Sequence, residues 1–118
     1  MTVNGIISLN LTDQNKHSIG QSHNDKTIFT YSGSIINNGA DTINLKIFVQ
    51  TLSLGQSETS ISIPAGQIVR FRNLKLNGFQ CMTANTSVYI LATQYLKPLD
   101  EGLNEEPEIF YQYVIKWQ

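Results

Sequence analysis

Charged residues make up only 14% of this chain, well below the roughly 25% of an ordinary globular protein. The 8 basic and 9 acidic side chains leave a formal net charge of −1. No clustered positive field is available to hold a phosphate backbone, so nucleic acid is not an expected partner. Cysteine is nearly absent. A lone Cys81 excludes an intramolecular disulfide and a thiolate metal cage, and its apolar neighbours mark it as a small buried filler. No apolar run approaches the ~18 residues that span a bilayer, and Met1-Thr2-Val3-Asn4-Gly5 has neither the basic nor the apolar region of a secretory signal. The expectation is a chain without membrane contact and, as given, without an export signal. Also missing are a serine nucleophile elbow, a phosphate loop and an HExxH helix, which leaves no reaction centre and no cofactor to expect. The chain is read as not an enzyme.

What is present is period two. Ile43, Leu45, Ile47 and Val49, then Ile61 and Ile63, alternate with polar residues before Pro64-Ala65-Gly66-Gln67 reverses the chain, the pattern of half-buried strands. Ile7, Leu9 and Leu11 give a short first strand. Thr27 to Ile36 is rich in β-branched and aromatic residues, with Gly33 at an expected bulge. Asn37-Asn38-Gly39-Ala40-Asp41 reads as the turn of a hairpin joining it to Thr42–Leu52. Val69 and Phe71 point one way, with Ile68, Arg70 and Arg72 opposite. Asn77-Gly78 reads as a corner between sheets, Thr86–Tyr95 as a central strand covered on both faces, and Ile109–Trp117 as the last strand. Asp13–Lys26 and Leu96–Glu108 read as polar loops. With 118 residues there is room for one core, so residues 1–118 are expected to form one all-β domain. The fold class is a single-domain antiparallel β-sandwich or jelly roll of about 7–8 strands, with residues 1–26 as an N-terminal strand or arm plus a polar loop.

Several side-chain groupings carry candidate chemistry. His17 and His23, with Asp13 and Asp25, share one loop and include metal-ligating types, but their spacing matches no ligand motif and solvated histidines are the better reading. Asp100, Glu101, Glu105, Glu106 and Glu108 supply oxygens without the alternating ladder a calcium loop needs. They read as a solvated or partner-facing loop. Arg70, Arg72, Lys75 and Lys46 offer a small basic stripe that could complement the acidic loop of another copy, but alternating charges on a strand read better as its solvated face. Tyr111, Tyr113 and Trp117 fall on one face of the last strand, where stacking on a glycan is weighed against burial; Ile109 and Ile115 on the same face favour burial. The expected metal ligands are none.

The run Ile63-Pro64-Ala65-Gly66-Gln67 through Phe71-Arg72-Asn73-Leu74, then Ser87-Val88-Tyr89-Ile90 and Tyr95, resembles the C-terminal half of the small jelly-roll subunits of bacterial endospore appendages. It is also similar to accessory jelly rolls of tailed phages. The resemblance covers about half the chain and implies a structural subunit. Appendage subunits of that kind are cross-linked through several cysteines, where this chain has only Cys81. The expected function is therefore a non-enzymatic structural protein of a phage virion: a capsid decoration, head fibre or tail-associated protein located in the virion. The alternatives are an extracellular or spore-surface filament subunit and a carbohydrate- or receptor-binding module. Its expected partners are copies of itself or other structural proteins, and its expected assembly contacts are Ile7, Leu9, Leu11, Arg70, Arg72, Glu105 and Glu106. A low surface charge lowers the electrostatic barrier to such packing. Ile7, Leu9 and Leu11 are read in two ways: as an arm exchanged between copies, or as the first strand of their own sheet.

Overall fold

Alternating apolar residues become strands wherever their apolar faces can meet a second layer. The computed structural model describes residues 2–19, 26–50 and 55–112. In chain order it contains β1 (Thr2–Leu11), β2 (His17–Ser18), β3 (Thr27–Asn37), β4 (Ile43–Gln50), β5 (Gln56–Ile63), β6 (Ile68–Leu74), β7 (Leu76–Cys81), β8 (Val88–Pro98), α1 (Leu99–Asn104) and β9 (Glu108–Gln112). The strands form a five-stranded sheet, β1-β8-β3-β6-β9, and a four-stranded sheet, β2-β7-β4-β5. Every pairing is antiparallel.

The order has a simple origin. Strand β1 pairs with β8, β2 with β7, β3 with β6 and β4 with β5, so the chain is one long hairpin whose two arms are wound together into two layers. Contacts of β8 with β3 and of β7 with β4 complete the sheets. That is a jelly roll, with β9 added outside β6.

Inner-facing side chains of both layers make the core. Leu11, Tyr31, Ile35, Leu45, Ile47, Phe71, Phe79 and Ile90 are all at most 1% exposed. The Phe71 and Phe79 rings meet from opposite sheets at 6.5 Å and 53°, a tilted geometry that aromatic quadrupoles favour. Cys81 is fully buried, its thiol within reach of the Thr83 carbonyl and the Thr86 hydroxyl. At Gly33, opposite Ala92 on β8, a Cβ would overlap the Leu91 carbonyl and the Ala92 backbone. Only glycine allows the strands to approach this closely, and the β3–β6 register shifts beside it, between Tyr31 and Gly33.

Several local expectations are corrected. Strands β3 and β4 are not a hairpin, because they belong to different sheets; residues 38–42 carry the chain across the sandwich. The Pro64-Ala65-Gly66 turn crosses layers in the same way, with Gly66 at φ 74°. The corner between sheets lies at Lys75, between β6 and β7, just after Asn73 with its φ of 58°, and Asn77-Gly78 lies inside β7. Strand β8 is central but covered on one face only, since Leu91 is 44% exposed. The polar stretch after it is ordered: β8 continues to Pro98 and a turn and a half of helix follows. Alternation also fails at Val49, where a register shift against β7 leaves Val49 half-buried and turns Phe48 into cover, with Lys16 Nζ 4.1 Å above its ring.

One buried side chain ties the crossings together. Asn37 is fully buried. Its Nδ2 donates to the Asp41 carbonyl at 2.8 Å and to the Ile63 carbonyl at 2.9 Å, while its Oδ1 accepts from Gly39 N–H at 2.9 Å. Its backbone receives Gly66 N–H and donates to the Gln67 carbonyl. Replacing Asn37 by Asp removes both amide donors and sets a carboxylate against the buried Ile63 carbonyl and the part-buried Asp41 carbonyl, so Asn37→Asp is expected to destabilise the fold by about 3 kcal/mol or more at neutral pH. Urea unfolding checks this, and a change below about 1 kcal/mol contradicts the role given to Asn37.

Candidate functional site

Main-chain groups at a sheet edge have no neighbour on one side and are templates for another strand. The two sheets end at β1 and β9, and at β2 and β5. Strand β2 has only two residues. Strand β1 carries a register shift between Val3 and Gly5, which twists an edge away from partners. Strand β5 is different: eight residues long, in unbroken register with β4, and exposed from Gln56 to Ser60. It contains neither lysine nor proline, the residues that usually blunt an edge. Its one charge, Glu58, lies 3.7 Å from Lys46 across the sheet.

The expected assembly contacts divide between core and surface. Leu11 is fully buried, while Ile7 and Leu9 are half-buried against the core. All three face inward from β1, opposite Ala92, Ile90 and Val88 of the same chain's β8. On the other face of β1, Ile6 is 71% exposed. Arg70 and Arg72 are exposed. Arg72 lies 5.7 Å from the Phe110 ring and opposite Glu108 of β9. They do not form the four-residue basic stripe, because Lys75 is buried and Lys46 belongs to the other sheet.

Glu105 and Glu106, neighbours in sequence, have different surroundings. Lys97, whose side chain is only 1% exposed, donates to both carboxylate oxygens of Glu105. This ion pair fastens the end of α1 to β8, with Gly102 packed against Ile28. Glu106 is exposed, and its backbone carbonyl accepts from Asn73 Nδ2 at 3.4 Å.

His17 Nε2 lies 2.8 Å from Asp13 Oδ1. That bond and the Asn15 N–H hold the Asp13 carboxyl below its ordinary pKa. His23 and Asp25 lie outside the described residues, as do Tyr113, Trp117 and the side chain of Tyr111. Among the described residues no three His, Cys, Asp or Glu side chains gather where a metal ion would sit.

A groove of about 670 Å³ lies between the two layers, and no linear pattern of residues announces it. Ile47, Val49 and Thr59 line it from the four-stranded sheet, and Leu74, Leu103 and Ile109 from the opposite layer, with Lys75 and Glu105 in its wall. Lys75 is 7% exposed, and burial lowers the pKa of its ammonium. No protein-family model, curated protein or solved structure matches this chain.

The Lys97–Glu105 pair makes a measurable claim. Neutralising Glu105 leaves a buried ammonium with a weaker acceptor, so Glu105→Gln is expected to cost about 1–3 kcal/mol, the surface access of Glu105 moderating the loss. Lys97→Met combined with Glu105→Gln is expected to recover most of that loss in denaturant unfolding. Equal stability of wild type and Glu105→Gln contradicts the latch.

Proposed function

We propose that this chain is a non-enzymatic structural subunit that assembles by adding a neighbour's strand to its open β5 edge, in the virion of a tailed phage. Strand β5 carries the reading, as an edge of eight residues in unbroken register with β4, weakly charged and without the lysine or proline that usually protects an edge. Strand addition draws its affinity from main-chain hydrogen bonds and its register from side chains on alternate positions. With a net charge of −1, copies approach with little mutual repulsion. The exposed Ile6, Leu91 and Phe110 add apolar area on the five-stranded layer, on the same surface as Arg70 and Arg72. A subunit of this kind acts by shape: the jelly roll holds its edges at fixed positions, and repeated pairing decorates a shell or extends a fibre. The same edge chemistry serves an extracellular or spore-surface filament, which differs in location and not in mechanism.

Lysines on the outer positions of β5 disfavour pairing without entering the core. The double substitution Ser60→Lys with Ser62→Lys, both at exposed positions, is expected to leave the melting temperature within a few degrees of wild type and to abolish self-association in sedimentation velocity. A wild-type chain that stays monomeric at every concentration, or a variant that assembles as well as wild type, contradicts the proposal.

A further inference from the structure

Among the described residues, the groove beside β5 contains a lysine with no direct ion pair, Lys75, which feels the Glu105 carboxylate only at a distance. Lys75 sits in the connection between β6 and β7, between the buried Leu74 and Leu76, and its carbonyl accepts from Gln50 N–H at 2.8 Å. That bond fixes the backbone, so the side chain has little choice but to line the groove wall. Among the described residues its ammonium has neither a hydrogen bond nor an ion pair. The nearby carboxylate able to serve, Glu105, has both oxygens engaged by Lys97. Lys75 is 7% exposed in a groove lined chiefly by Ile47, Val49, Leu74, Leu103 and Ile109, with Glu105 and Glu106 in the same wall, and a desolvated lysine without a direct partner gains from an anion that reaches its ammonium.

We infer that this groove is a binding site for an amphiphile with an apolar chain and a carboxylate head, such as a fatty acid, with Lys75 as the counterion of the head group. The dimensions suit one small ligand: about 670 Å³ falls within the roughly 300–1,000 Å³ of small-molecule sites. The apolar walls supply burial for the chain, and the carboxylate supplies the partner that the fold leaves out. A neutral chain of the same length gains only the first, and a cationic one meets repulsion from Lys75. The lowered pKa of Lys75 agrees with the geometry, since a bound carboxylate stabilises the protonated amine and shifts its pKa upward. Binding in alkaline buffer then draws a proton from solution.

Titration calorimetry with decanoate, decanol and decyltrimethylammonium, all below micelle formation, tests the assignment on the intact chain. Wild type is expected to bind decanoate at least tenfold more tightly than decanol, in line with a charge-assisted contact, and not to bind the cation. Lys75→Met keeps the apolar bulk, and is expected to weaken decanoate by tenfold or more while leaving decanol unchanged. Thr59→Trp, at an exposed position of the groove wall, is expected to block both ligands without moving the melting temperature. Absence of decanoate binding to wild type, or equal decanoate affinity in wild type and Lys75→Met, overturns the inference. Neither result bears on strand pairing at β5, which sedimentation of the lysine variant reads separately.

Discussion

Two segments change layers at the same end of this sandwich, and Asn37 is where they meet. A jelly roll must move the chain from sheet to sheet repeatedly, and each move takes backbone polar groups out of the ladder, where they need other partners. Here the β3–β4 and β5–β6 connections share one solution: the Asn37 amide bonds the Asp41 and Ile63 carbonyls, and its backbone bonds Gly66 and Gln67. With these crossings held, β4 and β5 stay on one layer and β3 and β6 on the other, and the apolar faces meet. Strand β8, paired along the whole of β3, then completes the layer that carries β1.

The same winding determines what remains open. Among the described residues, pairing the two arms of one long hairpin satisfies the inner strands and leaves four edges, of which β2 has two residues, β1 carries a register shift and β9 has five residues. Strand β5 has eight residues in unbroken register, and no described residue blunts it. The groove has the same origin, because among the described residues the α1–β9 connection lines the space between the two layers without filling it. Edge and groove are neighbouring consequences of one topology, yet the partners proposed for them differ: main chain at one, an apolar anion at the other.

Much of the layer architecture was legible in the sequence, because period two depends only on neighbours along the chain. Val69 and Phe71 against Arg70 and Arg72, the buried Cys81 and the shift at Gly33 all follow from local alternation and size. Connectivity was less legible. Asn37-Asn38-Gly39 has the composition of a hairpin turn, and the same residue types suit a crossing between sheets; the difference lies in the Asn37 side chain finding the Ile63 carbonyl, 26 residues away. Lys75 was grouped with Arg70 and Arg72 by charge, although alternation from Val69 and Phe71 places it on the inner face; after the positive φ of Asn73, Leu74, Lys75 and Leu76 are all buried. The helix after Pro98 was hidden by its brevity and by carboxylates that suggested a solvated loop, one of which is anchored by a buried lysine. The groove has no linear signature, since its walls come from five separate elements.

If β5 is the edge to which a neighbour's strand adds, as proposed, amide hydrogen exchange reads it residue by residue. In dilute solution alternate amides from Gln56 to Ser62 are expected to exchange rapidly while those of β3 and β8 stay protected. As concentration drives assembly, the fast β5 amides are expected to become protected, with β3 and β8 unchanged. Protection of β5 that is the same in the monomer and in the assembled state contradicts the account.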